Sequence, residues 1–301
     1  MQEKSVQIKS NSDNLAIDVK MFIPEGEIKG ILQISHGMAE HKERYYKFMK
    51  YITNAGYVTI INDHRGHGKS VLNKDDLGYF YDNSATYVVE DLHQITTYIK
   101  ELYPNKKVIL FGHSMGSMIV RKYIKKYDNE IDKLIVCGSP SKNKYAKSGL
   151  ELSKTIAKLK GDKYRSKFIQ KLAFGGYSKN KKSKNEWICA NEDTVNKYDN
   201  DELCGFIFTA NGFQNLFKLM IDIYSPDGWN KNNLKLPILF IAGSDDPVII
   251  NKEEWNKSQE FLKDLGYKNI KNKLYDGLRH ELLNEKNSEE IYEDVLGFIE
   301  S

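Results

Sequence analysis

The chain has 301 residues, 40% of them hydrophobic and 29% charged, and its Lys and Arg exceed its Asp and Glu by 4. That composition fits a soluble globular protein of about two domains, excludes a mostly disordered chain, and gives no sign of a nucleic-acid binder. No apolar run approaches the roughly 20 residues needed to span a bilayer, and Met1-Gln2-Glu3-Lys4 lacks the apolar segment a signal peptide would place behind it. Three cysteines, Cys137, Cys189 and Cys204, are too few for a disulfide scaffold and point to a reducing, cytoplasmic compartment.

In chain order, Val6 to Lys9 and Leu15 to Ile23 read as short strands split by a cluster of turn residues, Ser10 to Asn14. Ile31 to Ile34 is a third strand, and a helix-like stretch runs from Tyr45 to Asn54. Val58 to Ile61 is an apolar β-branched run of the kind buried on both faces of a sheet. Val88, Leu92, Ile95, Ile99 and Leu102 lay one apolar stripe along a helix over 86–102, which Pro104 ends. Val108 to Phe111 is a strand, Met115 to Tyr127 a helix, and Leu134 to Cys137 a strand. The rhythm resumes with a strand at Ile238 to Ile241, a helix over 252–265, a strand at Lys271 to Tyr275, and a last helix marked by Ile291, Val295 and Ile299. Such alternation predicts an α/β chain with a mostly parallel sheet and helices on both faces.

Residues 140–226 break the rhythm. The segment, bounded by Pro140 and Pro226, reads as helical and irregular. Within 141–200, fifteen Lys or Arg face six acids, a net +9 that leaves the rest of the chain at −5. Its densest patch is Lys179 to Lys184.

Gly112-His113-Ser114-Met115-Gly116 fits G-x-S-x-G and sits between an apolar strand and an amphipathic helix, where a nucleophile elbow belongs. A serine needs a base. Among seven histidines, His280 lies just past the last strand, on the face shared by loops at the strands' carboxyl ends. His113 adjoins the serine, but the turn points neighbouring side chains apart. The base needs an acid, and Ser244-Asp245-Asp246-Pro247 follows a strand on the same face. Asp246 is the better candidate because a proline fixes the turn behind it, with Asp245 as the alternative; whichever is not the acid would serve as a helix cap. The oxyanion needs donors. The N–H of Met115 is one, and the N–H of Met38, in Ser35-His36-Gly37-Met38-Ala39-Glu40-His41, is the other, with His36 bracing that loop. His64-Arg65-Gly66-His67 contains H-x-x-H, but no third ligand has sensible spacing, so a metal site is not expected.

Together, His36 to His41, Asp63 to Ser70, Gly112 to Gly116, Gly243 to Asp246 and His280-Glu281 resemble the monoacylglycerol lipase and lysophospholipase branch of the α/β-hydrolases, also described as serine aminopeptidase-like. The resemblance covers 1–139 and 227–301. It implies an α/β-hydrolase core with an eight-stranded, mostly parallel sheet over those residues, and a helical cap over 140–226. It also implies Ser114 as nucleophile, Asp246 and His280 as its partners, Met38 and Met115 as oxyanion donors, and no cofactor. Met38 stands where the family often has a small residue, which narrows the pocket mouth.

The leading expectation is an ester hydrolase acting on a mono-acyl lipid, a monoacylglycerol or lysophospholipid. Phe206, Phe208, Phe213, Leu216, Phe217 and Met220 would supply apolar surface in the cap, and the basic cap would draw the enzyme to an anionic membrane or a phosphate-bearing lipid. The alternatives are a serine aminopeptidase, which would need cap carboxylates for the substrate's amine, and a catalytically silent ligand-binding relative.

Overall fold

The computed structural model describes residues 1–178 and 183–301, so Lys179, Lys181 and Lys182 of the lysine-rich patch lie outside the described residues. One sheet contains β1 (Gln2–Lys9), β2 (Ala16–Ile23), β3 (Gly30–Ser35), β4 (Tyr57–Asn62), β5 (Val108–His113), β6 (Lys133–Cys137), β7 (Ile238–Gly243) and β8 (Ile270–Tyr275). Their spatial order is β1-β2-β4-β3-β5-β6-β7-β8. β2 runs antiparallel to β1 and β4, and every other neighbouring pair is parallel.

The helices of the described residues are α1 (Tyr46–Asn54), α2 (Tyr87–Leu102), α3 (Met115–Tyr127), α4 (Ala146–Lys160), α5 (Lys167–Phe174), α6 (Glu192–Asp199), α7 (Ala210–Asp222), α8 (Lys252–Asp264) and α9 (Ser288–Glu300). Every residue of β3 to β7 is buried, because helices cover both faces. Alternate strand residues therefore feed two cores. Leu32, Phe111, Ile135 and Ile241 pack with α1 and α9 through Phe48, Ile52, Ile291 and Val295. Ile31, Leu110, Val136 and Phe240 pack on the other side with α2, α3 and α8, where Leu92, Ile119 and Trp255 are fully or almost fully buried. A continuous apolar run is what burial on both faces demands.

The strand order reverses at β3. The chain leaves β3 for β4 on one side and returns to β5 on the other, so the loops after β3 and β5 diverge and leave a crevice at their carboxyl ends. The register pairs Ser35 with Gly112, which sets the loop beginning at His36 beside Ser114.

Between β6 and β7 the chain forms α4 to α7. α4 lies against α7 so closely that a Cβ at Gly149 would stand 2.6 Å from the Phe217 ring. α7 buries Phe213, Leu216 and Leu219 and also packs on α3. No helix among the described residues is long and apolar enough to cross a membrane. Cys137, Cys189 and Cys204 are buried free thiols.

Candidate active site

Ser114 stands between β5 and α3 with φ 53° and ψ −119°, a strained conformation for a residue with a side chain. Two glycines make the turn possible. A Cβ on Gly112 would approach the Gly116 carbonyl oxygen to 2.5 Å, and one on Gly116 would approach the Ser35 carbonyl oxygen to 2.1 Å. The helix therefore starts in contact with the end of β3, and the Ser114 N–H donates to the Cys137 carbonyl at 3.0 Å.

His280 and Asp246 meet across 34 residues of sequence: His280 Nδ1 lies 2.8 Å from Asp246 Oδ2, with both side chains buried. Asp245 is exposed and bonded by the Ser244 hydroxyl instead. Asp246 also caps the short helical turn after it, since its Oδ1 accepts the Val248 N–H at 2.9 Å. The expectation that the other aspartate caps α8 is incorrect: Asp246 itself caps the short turn, and Asn251 caps α8. The His280 ring stands 4.7 Å from that of His113 and 5.1 Å from that of Trp187, centroid to centroid. A Cβ on Gly138, next to the carbonyl that holds Ser114 N–H, would be 3.2 Å from His280 Cε1. Ser114 and His280 line the same cavity, but among the described residues no hydrogen bond joins the Ser114 hydroxyl to the imidazole. Such bonds are commonly long before substrate enters.

The loop after β3 supplies the facing wall. A Cβ on Gly37 would stand 3.2 Å from the Ser114 Cβ. Neither the Met38 nor the Met115 N–H is taken up by a hydrogen bond among the described residues, and both residues line the cavity. Glu40 shapes this loop, with Oε1 accepting the Gly37 N–H at 2.6 Å and the Tyr45 hydroxyl at 2.8 Å. Because Tyr45 donates to Glu40, it accepts from His113 Nδ1 at 2.9 Å, while His113 Nε2 donates to the His280 carbonyl at 3.1 Å. Both ring nitrogens donate, which is the protonated form. Burial opposes that charge, but the Glu40 carboxylate outweighs burial and raises the His113 pKa. Burial likewise disfavours the Glu40 anion, yet its bond to His113 and the Arg44 charge hold it well below the usual carboxylate range.

Sequence reasoning missed the clamp behind these groups. Arg44 Nη1 bonds Glu40 Oε2 and Glu281 Oε1, and Nη2 bonds Glu281 Oε2, each at 2.6 Å. One guanidinium thereby ties the loop carrying Met38 to the loop carrying His280, 237 residues away. The available signal was the charged pair Glu40 and Arg44, one helical turn apart, with a second acid directly after His280.

His36, His64 and His67 are scaffold. The His64 N–H donates to His36 Nε2 at 2.9 Å, so His36 Nδ1 carries the proton and donates to the Gly37 carbonyl at 2.8 Å. His64 Nε2 lies 2.9 Å from Ser35 Oγ. Burial is the largest cause of the low pKa in all three: His36 falls to about 3, His67 to about 4, and His64 well below its usual value. These imidazoles stay neutral when folded and take up protons on unfolding, so their contribution to stability is lost as pH falls below about 6.5. At up to about 1.4 kcal/mol per imidazole per pH unit, the loss from pH 7 to pH 5 is on the order of 5 kcal/mol. His113, with the opposite shift, acts mainly above that window. Urea unfolding at both pH values checks this expectation, and equal midpoints would contradict it.

The cavity has a volume of about 1320 Å³ and is walled by Met38, Met118, Phe206, Ile207, Leu216 and Met220 among others. Of the apolar residues singled out in the inserted segment, Phe206, Leu216 and Met220 face the cavity, whereas Phe208, Phe213 and Phe217 belong to the core. His41, Asp201 and Cys204 bring donor atoms within 4.8 Å of one another. Their arrangement needs no ion: His41 Nε2 is bonded to Asp201 Oδ2 at 2.9 Å, and the Arg44 charge acts on both Asp201 and Cys204.

The family model described as serine aminopeptidase, S33, matches residues 26–287. The monoacylglycerol lipase of Mycolicibacterium smegmatis is 26% identical over 282 residues, 93% of this chain and 91% of that protein. The monoglyceride lipase of Homo sapiens is 29% identical over 109 residues, covering 36% of this chain and 34% of the relative. The crystal structure of a thermostable carboxyl esterase from Bacillus coagulans, in complex with glycerol, superposes with a TM-score of 0.92 at 27% identity, over 100% of this chain and 98% of that one. The sheet order, the turn at Ser114 and these likenesses make the fold that of an α/β-hydrolase, and the chain belongs to the serine aminopeptidase S33 family, among lipases and esterases.

Proposed function

We propose that the chain is a serine hydrolase that cleaves the ester of a mono-acyl lipid, a monoacylglycerol or lysophospholipid. The observation that carries this reading is the bond between His280 Nδ1 and Asp246 Oδ2 beside a strained Ser114 in a largely apolar cavity. Asp246 holds the proton on Nδ1 and leaves Nε2 free to accept. His280 takes the Ser114 proton as the oxygen attacks the ester carbonyl, and the N–H groups of Met38 and Met115 receive the oxyanion. The tetrahedral intermediate collapses to an acyl-enzyme as His280 protonates the leaving alcohol. Water activated by the same imidazole then releases the fatty acid. Helices over 140–226 act as a cap whose apolar wall takes the acyl chain.

The family model's description raises the aminopeptidase reading. An amine would need a buried carboxylate at the cavity; of the acids that line it, Glu40 and Glu281 are engaged by Arg44 and Glu254 by Lys257, while Glu260 and Asp264 are exposed on α8. Assays of p-nitrophenyl acyl esters beside aminoacyl anilides separate the two readings. Esters are expected to turn over at least about a hundredfold faster, since a buried amine without its carboxylate loses several kcal/mol; faster anilide hydrolysis would overturn the choice.

A further inference from the structure

Between α5 and α6 the chain returns to the His280 loop at Glu186–Ile188, a single helical turn. Residues 279–285 fasten that turn on both sides of Trp187. Arg279 Nη1 donates to the Glu186 carbonyl at 2.5 Å and to the Cys189 carbonyl at 3.2 Å. The Glu281 N–H donates to the Ile188 carbonyl at 2.7 Å. Glu285 Oε1 accepts the Ala190 N–H and the Arg279 N–H, each at 3.0 Å. Ile188 and Cys189 are buried by this docking, whereas Trp187 stays half-buried and lines the cavity. Its ring lies 5.1 Å from that of His280 and 5.1 Å from that of Tyr177, centroid to centroid. An indole within about 6 Å of a cation attracts it through the quadrupole of its ring.

We propose that Trp187 is a positioning residue lent by the inserted segment: its indole holds the His280 imidazole in place and stabilises the positive charge that ring gains as Ser114 attacks. The role rests on the hydrolase reading, in which His280 becomes an imidazolium each time it takes the Ser114 proton onto Nε2. No bond to Trp187 forms or breaks. The charge arises where compensation is scarce. Asp246, from the loop after β7, is the carboxylate bonded to the ring. His113, from the turn before α3, is itself protonated, and its ring is 4.7 Å away, centroid to centroid. Glu40 and Glu281, which offset that second cation, are shared with Arg44. The attraction is strongest while His280 is charged, so it lowers the barrier without tightening the substrate.

The test is steady-state kinetics on a short p-nitrophenyl ester. Trp187→Leu is expected to lower kcat about tenfold and leave KM within about twofold of wild type. Trp187→Phe keeps an aromatic face and is expected to recover most of kcat. A second readout needs no turnover and decides the matter even if the leucine variant fails to fold. A protonated imidazole quenches an indole beside it, and of the three tryptophans Trp187 alone has a histidine ring against it among the described residues. Wild-type emission is expected to fall between about pH 8 and about pH 5.5, and the fall is expected to vanish in His280→Gln and in Trp187→Phe. Unchanged kcat in Trp187→Leu, an equal loss in the leucine and phenylalanine variants, or wild-type emission that ignores pH would overturn the proposal. A wild type that hydrolyses no ester and takes no fluorophosphonate would overturn the hydrolase reading itself, and this role with it.

Discussion

Replacing Asp246 by Asn is expected to lower kcat for an acyl ester about 10⁴-fold, with the fold intact. The Val248 N–H requires an acceptor at the position of Oδ1, so the new amide nitrogen is turned toward His280. It donates to Nδ1, and the imidazole must then carry its proton on Nε2, facing Ser114. A base protonated on that edge accepts nothing. Asp245→Asn is the control: its exposed carboxylate does not touch His280, and the variant is expected to match wild type. Steady-state kinetics on a p-nitrophenyl ester, with thermal melting to verify folding, decides the point. Near-wild-type turnover by Asp246→Asn would remove the acid from the account.

Arg44→Met is expected to cost about 3–5 kcal/mol of stability and most of the activity. The arginine is the shared partner of Glu40 and Glu281, and its loss leaves buried Glu281 without its cation and buried Glu40 with His113 alone. The effect extends past stability because those carboxylates hold the two loops that carry Met38 and His280. Arg44→Lys is expected to restore charge but not the two-pronged geometry, and so to recover stability more fully than kcat. Urea unfolding and kinetics on both variants test this. A methionine variant as stable and active as wild type would show that the clamp is incidental.

What the chain discloses about itself follows from where each signal is local. β4, β5 and β7 are apolar runs set by burial on two faces, and α3 begins and ends where its sequence pattern does. β1 was legible only from Val6 onward. Its first half, Gln2 to Ser5, is polar and exposed, and only the ladder to β2 makes it a strand. The motifs around Ser114, Asp246 and His280 were readable because each is a short run fixed by a turn. Pro247 already favoured Asp246 over Asp245, but the contact of Asp246 with His280 needed coordinates, since it depends on which side chain the turn buries. The Glu40–Arg44–Glu281 clamp was hidden because its members come from distant loops that only the sheet brings together. Trp187 was hidden for the same reason: nothing near it in sequence says that it flanks the His280 ring.

The most direct measurement is covalent labelling with a fluorophosphonate probe, read by intact mass and peptide mapping. A nucleophilic Ser114 predicts stoichiometric addition of one phosphonyl group on that residue alone, with none on Ser114→Ala. A chain that stays unlabelled while binding a mono-acyl lipid, or that carries its label on another residue, would contradict the hydrolase mechanism at its root.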